Sequence, residues 1–126
     1  MSRFVLLEHH WDGVHWDLML DVGAVLRTWA IDMPIVPGEI LPARALGDHR
    51  RAYLDYEGAI SGDRGWVRRL DSGLYEPRIW TPEWVRVVLS GAQLVGFAEL
   101  RRVGAGGSDL GPESARAWTF RLGNLD

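Results

Sequence analysis

Hydrophobic and polar positions alternate in short stretches along most of this chain, and the stretches end at Gly, Pro, Asp or Ser. Residues 3–8 are apolar and β-prone, which predicts a first strand. Asp12-Gly13 is a turn signal. Over residues 15–21 the alternation is strict: Trp16, Leu18 and Leu20 lie on one side, and His15, Asp17, Met19 and Asp21 on the other. Such a strand has one apolar face and one functional face. Residues 24–31 read as a third strand anchored by Trp29, so residues 4–31 form a three-stranded meander. Pro34, Pro37, Gly38 and Pro42 then break the pattern. Residues 32–48 read as a long connection with a short helical turn over 43–46. Alternation resumes at Trp66, with strands over 66–70, 74–80, 84–89 and 93–103. The turns between them fall at Asp71-Ser72-Gly73, Thr81-Pro82 and Ser90-Gly91. Residues 104–114 are rich in Gly and Ser and read as a mobile loop, and residues 115–122 as a closing strand around Trp118 and Phe120. About eight strands at roughly ten-residue spacing predict an all-β fold, a compact antiparallel β-barrel or sandwich with long loops. No stretch reads as an amphipathic helix, and no repeat, P-loop or dinucleotide fingerprint is present.

Length and composition narrow this picture. A chain of 126 residues with 47% hydrophobic residues and seven tryptophans reads as one domain over residues 1–126 with a real core. Cysteine is absent, which excludes thiolate nucleophiles, disulfides and cysteine zinc sites, and fits a reducing compartment such as the cytoplasm. The N-terminal apolar run is stopped at once by Glu8-His9-His10, so it does not read as a signal peptide. No apolar run reaches the length of a membrane span. The net charge is −3, whereas proteins that hold nucleic acid by overall charge are basic. All 14 basic residues are arginine, the side chain that forks phosphate oxygens. Arg50, Arg51, Arg64, Arg68 and Arg69 crowd the region after His49. Ser61-Gly62-Asp63-Arg64-Gly65 reads as a β-turn whose backbone also suits a phosphate.

The candidate chemistry is concentrated in His9-His10-Trp11-Asp12-Gly13-Val14-His15-Trp16-Asp17. Three of the four histidines lie there, and the fourth is His49. Histidine and carboxylate gathered this densely indicate a metal site or an acid–base site. His15 and Asp17 share a strand face, and across a hairpin His9 can meet either of them. With His49 added, a two-histidine, one-aspartate site suits Mn²⁺, Fe²⁺ or Zn²⁺. One histidine is then left over as general acid or base. His10 points to the other face and reads as a bystander.

The ordered set His9-x5-His15-x-Asp17, Leu18-x-Leu20, Val25-Leu26-x-x-Trp29-Ala30, Asp48-His49-x-x-x-Tyr53 and Tyr56-Glu57-Gly58 resembles the 3′-phosphoesterase domain family of bacterial DNA ligase D. The later Val88-Leu89-x-Gly91-x-x-Leu94-x-Gly96-x-x-x-Leu100 and Trp118-Thr119-Phe120 agree in style. The resemblance implies a β-barrel that removes a 3′-terminal ribonucleoside and the 3′-phosphate from nucleic-acid ends, in DNA repair by non-homologous end joining. It implies a divalent metal, Mn²⁺ first and Zn²⁺ as an option, held by His9, Asp17 and His49. His15 and Tyr53 would be the catalytic pair acting on the phosphate. Nucleic-acid 3′ ends are the implied partner, with end-joining ligase and polymerase proteins beside them; a monomer away from membranes is expected. Met19 and Leu41 stand where the resemblance leads one to expect phosphate-holding arginines, and Arg44, Arg64 or Arg27 could substitute. Two other readings stay open: a DNA-end-binding accessory module with weak or no catalysis, and a phosphoesterase for small molecules.

Overall fold

Residues 2–103 and 117–124 are described by the computed structural model. Its first hairpin follows from the alternation. Strand β1 (Ser2–His10) pairs antiparallel with β2 (Val14–Asp21), placing Phe4 opposite Leu20, Leu6 opposite Leu18 and His9 opposite His15. The connection Trp11-Asp12-Gly13 turns through two left-handed residues, Asp12 at φ 52° and Gly13 at φ 103°. Aspartate and glycine are residues that tolerate this conformation. Strand β3 (Leu26–Ile31) completes the meander. The other strands are β4 (Leu41–Ala45), β5 (Gly58–Ala59), β6 (Trp66–Trp80), β7 (Trp84–Gly91), β8 (Val95–Arg102) and β9 (Ala117–Gly123). The order β1-β2-β3-β4-β9-β8-β7-β6 closes where β6 pairs with β1, giving an eight-stranded antiparallel barrel with no open edge in the ring. The two-residue β5 lies on the other edge of β6.

Two expectations about local structure are corrected. Residues 43–46 form no helical turn; β4 runs through Ala43–Ala45 and Leu46 follows it, with Leu41 and Ala43 buried in the barrel. Pro42 is tolerated because β3 pairs with β4 only over Ala43–Ala45, leaving the proline with one neighbouring strand, β9. Asp71-Ser72-Gly73 is not a turn but the middle of the 15-residue β6. The pairing with β1 slips there, Leu6 facing Asp71 and Leu7 facing Arg69. The buried Asp71 carboxylate accepts backbone N–H groups of Ser72, Ala92, Gln93 and Leu94 at 2.7–3.1 Å. Its turn-forming chemistry therefore closes the neighbouring connection between β7 and β8 rather than its own. Ser90-Gly91 accordingly ends β7, and the chain reverses over residues 92–94. The closing strand is found as β9, while the loop expected over 104–114 lies outside the described residues.

The interior is filled by Phe4, Leu6, Leu18, Leu20, Trp29, Ile31, Val87, Leu89, Leu100 and Phe120, among others, with Trp29 edge-on to Trp118 at 5.7 Å. Full burial of one such side chain stabilises by roughly 1.5–3 kcal/mol. A second apolar cluster lies on the opposite face of the same strands: Val5 and Leu7 of β1, Met19 of β2, Leu26 of β3, Val67 of β6, and Leu54. It is roofed by Tyr53 and Ile60, which belong to the long excursion between β4 and β6. This roof explains why β2 is buried on both faces from Asp17 onward. Three attachments hold the excursion down. Leu26 and His49 exchange backbone hydrogen bonds of 2.8 and 3.0 Å. Arg51 forks Asp21 at 2.8 and 3.1 Å, and Arg3 reaches Asp55 at 2.7 Å. Among the described residues no helix is long and apolar enough to cross a membrane.

Candidate active site on the outer wall of the barrel

The roofed outer face of β1 and β2 carries the histidine stretch. Because β-strand side chains alternate, His9, His15 and Asp17 project to this face together, beyond Leu7 and Met19. His10 projects to the other, where it stacks on Trp66 at 3.9 Å and pairs with Glu8 at 2.6 Å. His9 Nδ1 is 3.2 Å from His15 Nε2 and 3.4 Å from Asp17 Oδ2. His15 Nε2 is 3.1 Å from Asp17 Oδ1. One ligand atom from each of His9, His15 and Asp17 lies within 4.8 Å of the others.

Asp17 is 2% exposed, and its Oδ1 makes no hydrogen bond despite the short approach of His15. Burial pushes the Asp17 carboxyl up, but the two imidazoles outweigh it and hold the group below its ordinary value. The partner responds in the opposite sense. Asp17 raises His9 above its ordinary value, with burial opposing and the Arg64 carbonyl assisting.

The tautomers follow from the carbonyls. His9 Nε2 is 3.0 Å from the Arg64 oxygen, which can only accept, so Nε2 carries the proton. In neutral His9 the lone pair is then on Nδ1, facing Asp17 and His15. His49 Nδ1 donates likewise to the Gly47 oxygen at 2.8 Å, which leaves its lone pair on Nε2. A ring N–H fixed by a carbonyl with the other nitrogen bare is the usual support of a metal-binding histidine. With the lone pair on His9 Nδ1, His15 Nε2–H donates to it at 3.2 Å, and an orphaned buried carboxylate oxygen beside the bare His9 Nδ1 fits a divalent cation.

His9, His15, Asp17, His49 and Tyr53 all line one hollow of about 230 Å³, together with Trp11, Met19, Arg44, Leu46, Ile60, Arg64 and Val67. His49 stands on the wall, outside the close three. Its ring meets Tyr53 edge-on at 5.6 Å. Arg44 and Arg64 are on the wall too, but each guanidinium is engaged. Arg44 forks Asp32 at 2.9–3.2 Å, and Arg64 donates to the Ser61 carbonyl at 2.7 Å. Arg27 lies over Trp29 and near Asp48, away from the hollow. Met19 is packed in the outer cluster and Leu41 in the barrel interior. A larger hollow of about 740 Å³ over β4 and β9 offers, among the described residues, the paired Asp32 and Arg44 as charged groups.

Two contributors escape a reading of the sequence for titratable groups. Trp11, 49% exposed, lines the mouth with its ring 6.1 Å from that of His9. Gly65, at φ 73°, lies so close to the hairpin that a Cβ there would sit 1.7 Å from the His10 oxygen. This contact brings the Arg64 carbonyl onto His9. The one available signal was Gly65 following a turn-like Ser-Gly-Asp-Arg run.

Fold and site together define a small all-β domain with a histidine–carboxylate centre on its outer wall. The chain matches the family profile of the DNA Ligase D 3′-phosphoesterase domain over residues 7–102, and it belongs to that family. Among curated proteins none matches it.

Proposed function

We propose that the protein is a metal-dependent phosphoesterase that trims nucleic-acid 3′ ends, removing a terminal ribonucleoside and the 3′-phosphate in DNA repair. The observation that carries this reading is Asp17 Oδ1, buried and without a hydrogen bond, between the ring nitrogens of His9 and His15. Family membership supplies the phosphoester class. A divalent ion, Mn²⁺ before Zn²⁺, would bind a non-bridging phosphate oxygen and offset the charge that builds there. His9 and Asp17 would hold that ion, with His49 Nε2 as third donor. Water attacks the phosphorus as its bond to the leaving oxygen breaks; His15, facing the phosphate, protonates that oxygen, and Tyr53 donates a hydrogen bond to the phosphate. The protein works in the cytoplasm beside end-joining ligase and polymerase proteins.

A second reading keeps the fold as an end-binding module with weak chemistry. Met19 and Leu41 favour it, because neither expected position offers a cation to the phosphate.

The test is Mn²⁺-dependent release of nucleoside or phosphate from primer–templates ending in a 3′-ribonucleotide or a 3′-phosphate. Wild type is expected to release both, chelator to abolish release, and His15→Ala to lower kcat about 100-fold or more. Wild type and His15→Ala equally inert, with DNA still bound, would establish the binding module. Hydrolysis of a small phosphomonoester with neither DNA binding nor trimming would establish a small-molecule enzyme.

A further inference from the structure

Beside the main hollow lies a second one of about 180 Å³, lined by Arg50, Ala52, Tyr53, Tyr56, Ala59, Ile60 and Ser61. Tyr53 and Ile60 line both, so the two hollows adjoin across these side chains. Among the described residues the second is lined by no carboxylate and by one cation, Arg50.

The arginines around these hollows differ in what they already hold. Arg44 is tied to Asp32, Arg64 to Ser61, Arg51 to Asp21 and Arg3 to Asp55. Arg68 reaches Glu8, Arg27 lies 3.7 Å from Asp48 and Arg69 lies 4.0 Å from Glu57. Arg50 is exposed and has no side-chain hydrogen bond or ion pair within the described residues. Its backbone is fixed all the same. It precedes the single 3-10 turn Arg51–Leu54, whose Tyr53 N–H donates to the Arg50 carbonyl at 3.1 Å, and it follows His49, pinned to Leu26. An unpaired guanidinium on a fixed backbone, next to a tyrosine-walled hollow, suits a phosphate oxygen.

We infer that Arg50 and the Tyr53–Tyr56 hollow form a second anion subsite that takes the last internucleotide phosphate of the strand whose 3′ end occupies the main hollow. This rests on the proposed action at nucleic-acid 3′ ends. Arg50 thereby offers a cation to the strand beside the main hollow, whose wall carries Met19 and two arginines already engaged. The subsite makes the protein a reader of strands rather than of free phosphate esters.

The probe is a primer–template with a 3′-hydroxyl DNA end, which carries no group to remove. It is compared with the same duplex bearing a neutral methylphosphonate at the last primer linkage. Fluorescence anisotropy in Mn²⁺ is expected to show wild type binding the neutral linkage about 10-fold more weakly, the scale of one charge-assisted hydrogen bond. Arg50→Gln is expected to bind the natural duplex as weakly as wild type binds the neutral one, and to be indifferent to the substitution. A methylphosphonate penalty of equal size in wild type and Arg50→Gln would overturn the inference, as would no penalty in wild type or no binding of either duplex. Trimming activity is scored separately. Trimming with equal penalties removes the Arg50 subsite and leaves the enzyme, whereas a selective Arg50 effect without trimming keeps the subsite and removes the enzyme.

Discussion

His9 and His15 face each other across the first hairpin, Nδ1 to Nε2 at 3.2 Å, as directly paired residues of β1 and β2. The buried Asp17 lies against both rings, 3.4 Å from His9 Nδ1 and 3.1 Å from His15 Nε2, so a proton on His9 Nδ1 and a cation held by His9 and Asp17 would exclude each other.

In metal-free protein, His9 is raised above 6.5 by Asp17, so protonated His9 contributes stability in full below 6.5. That contribution is lost as pH rises through the raised value. Asp17 is lowered below 3.8, so its contribution is present above 3.8 and lost as pH falls through the lowered value. Melting temperature in chelator is expected to peak between these limits and to decline on the alkaline side in wild type but not in His9→Gln. Added Mn²⁺ needs His9 without its Nδ1 proton, so stabilisation by Mn²⁺ is expected to grow over the same alkaline range. Stabilisation by Mn²⁺ that does not change with pH would count against His9 as a ligand.

Gly65→Ala is expected to damage the site from a distance. The left-handed backbone alone costs about 1–3 kcal/mol for a non-glycine residue, and the new Cβ would collide with the His10 carbonyl. The 61–65 loop must retreat, taking the Arg64 carbonyl from His9. A lowered melting temperature together with weakened Mn²⁺ binding is the expected pair of results. Unchanged values for both would show that the loop does not position His9.

Asp71→Ala removes one acceptor group from four backbone N–H donors at once. The Leu94 N–H is buried and costs about 1–3 kcal/mol when left unpaired, whereas Ala92 and Gln93 are exposed and their N–H groups can turn to water, so a loss of about 1–3 kcal/mol is expected from urea unfolding. Asp71→Asn, which keeps one carbonyl oxygen, should lose less. Because Asp71 lies apart from the histidine hollow, Mn²⁺ affinity of the folded fraction should be unaltered.

The first hairpin and its chemistry were legible in the chain because alternation and Asp12-Gly13 fix both register and face. That is enough to bring His15 and Asp17 to one face and His9 opposite His15. Strand β4 was not legible, since Pro42 reads as a breaker and its tolerance depends on which strands flank it. Asp71-Ser72-Gly73 misleads for a related reason: the turn that Asp71 caps is another one, brought near by the sheet. The outer cluster was hidden too, because Leu7 and Met19 are buried by a roof distant in sequence. Whether an arginine is free depends on its acceptor. Arg44 and Arg64 look alike as candidates until Asp32 and Ser61 are seen beside them.

The central claim is that His9 and Asp17 hold a divalent cation within the reach of His15 and His49. Its most direct test is calorimetric titration of Mn²⁺ into wild type and into Asp17→Asn at pH 7.5. The account expects one ion per chain in wild type and no saturable binding in Asp17→Asn, with the variant still folded by circular dichroism. Equal binding by the two proteins, or none by wild type, would contradict it.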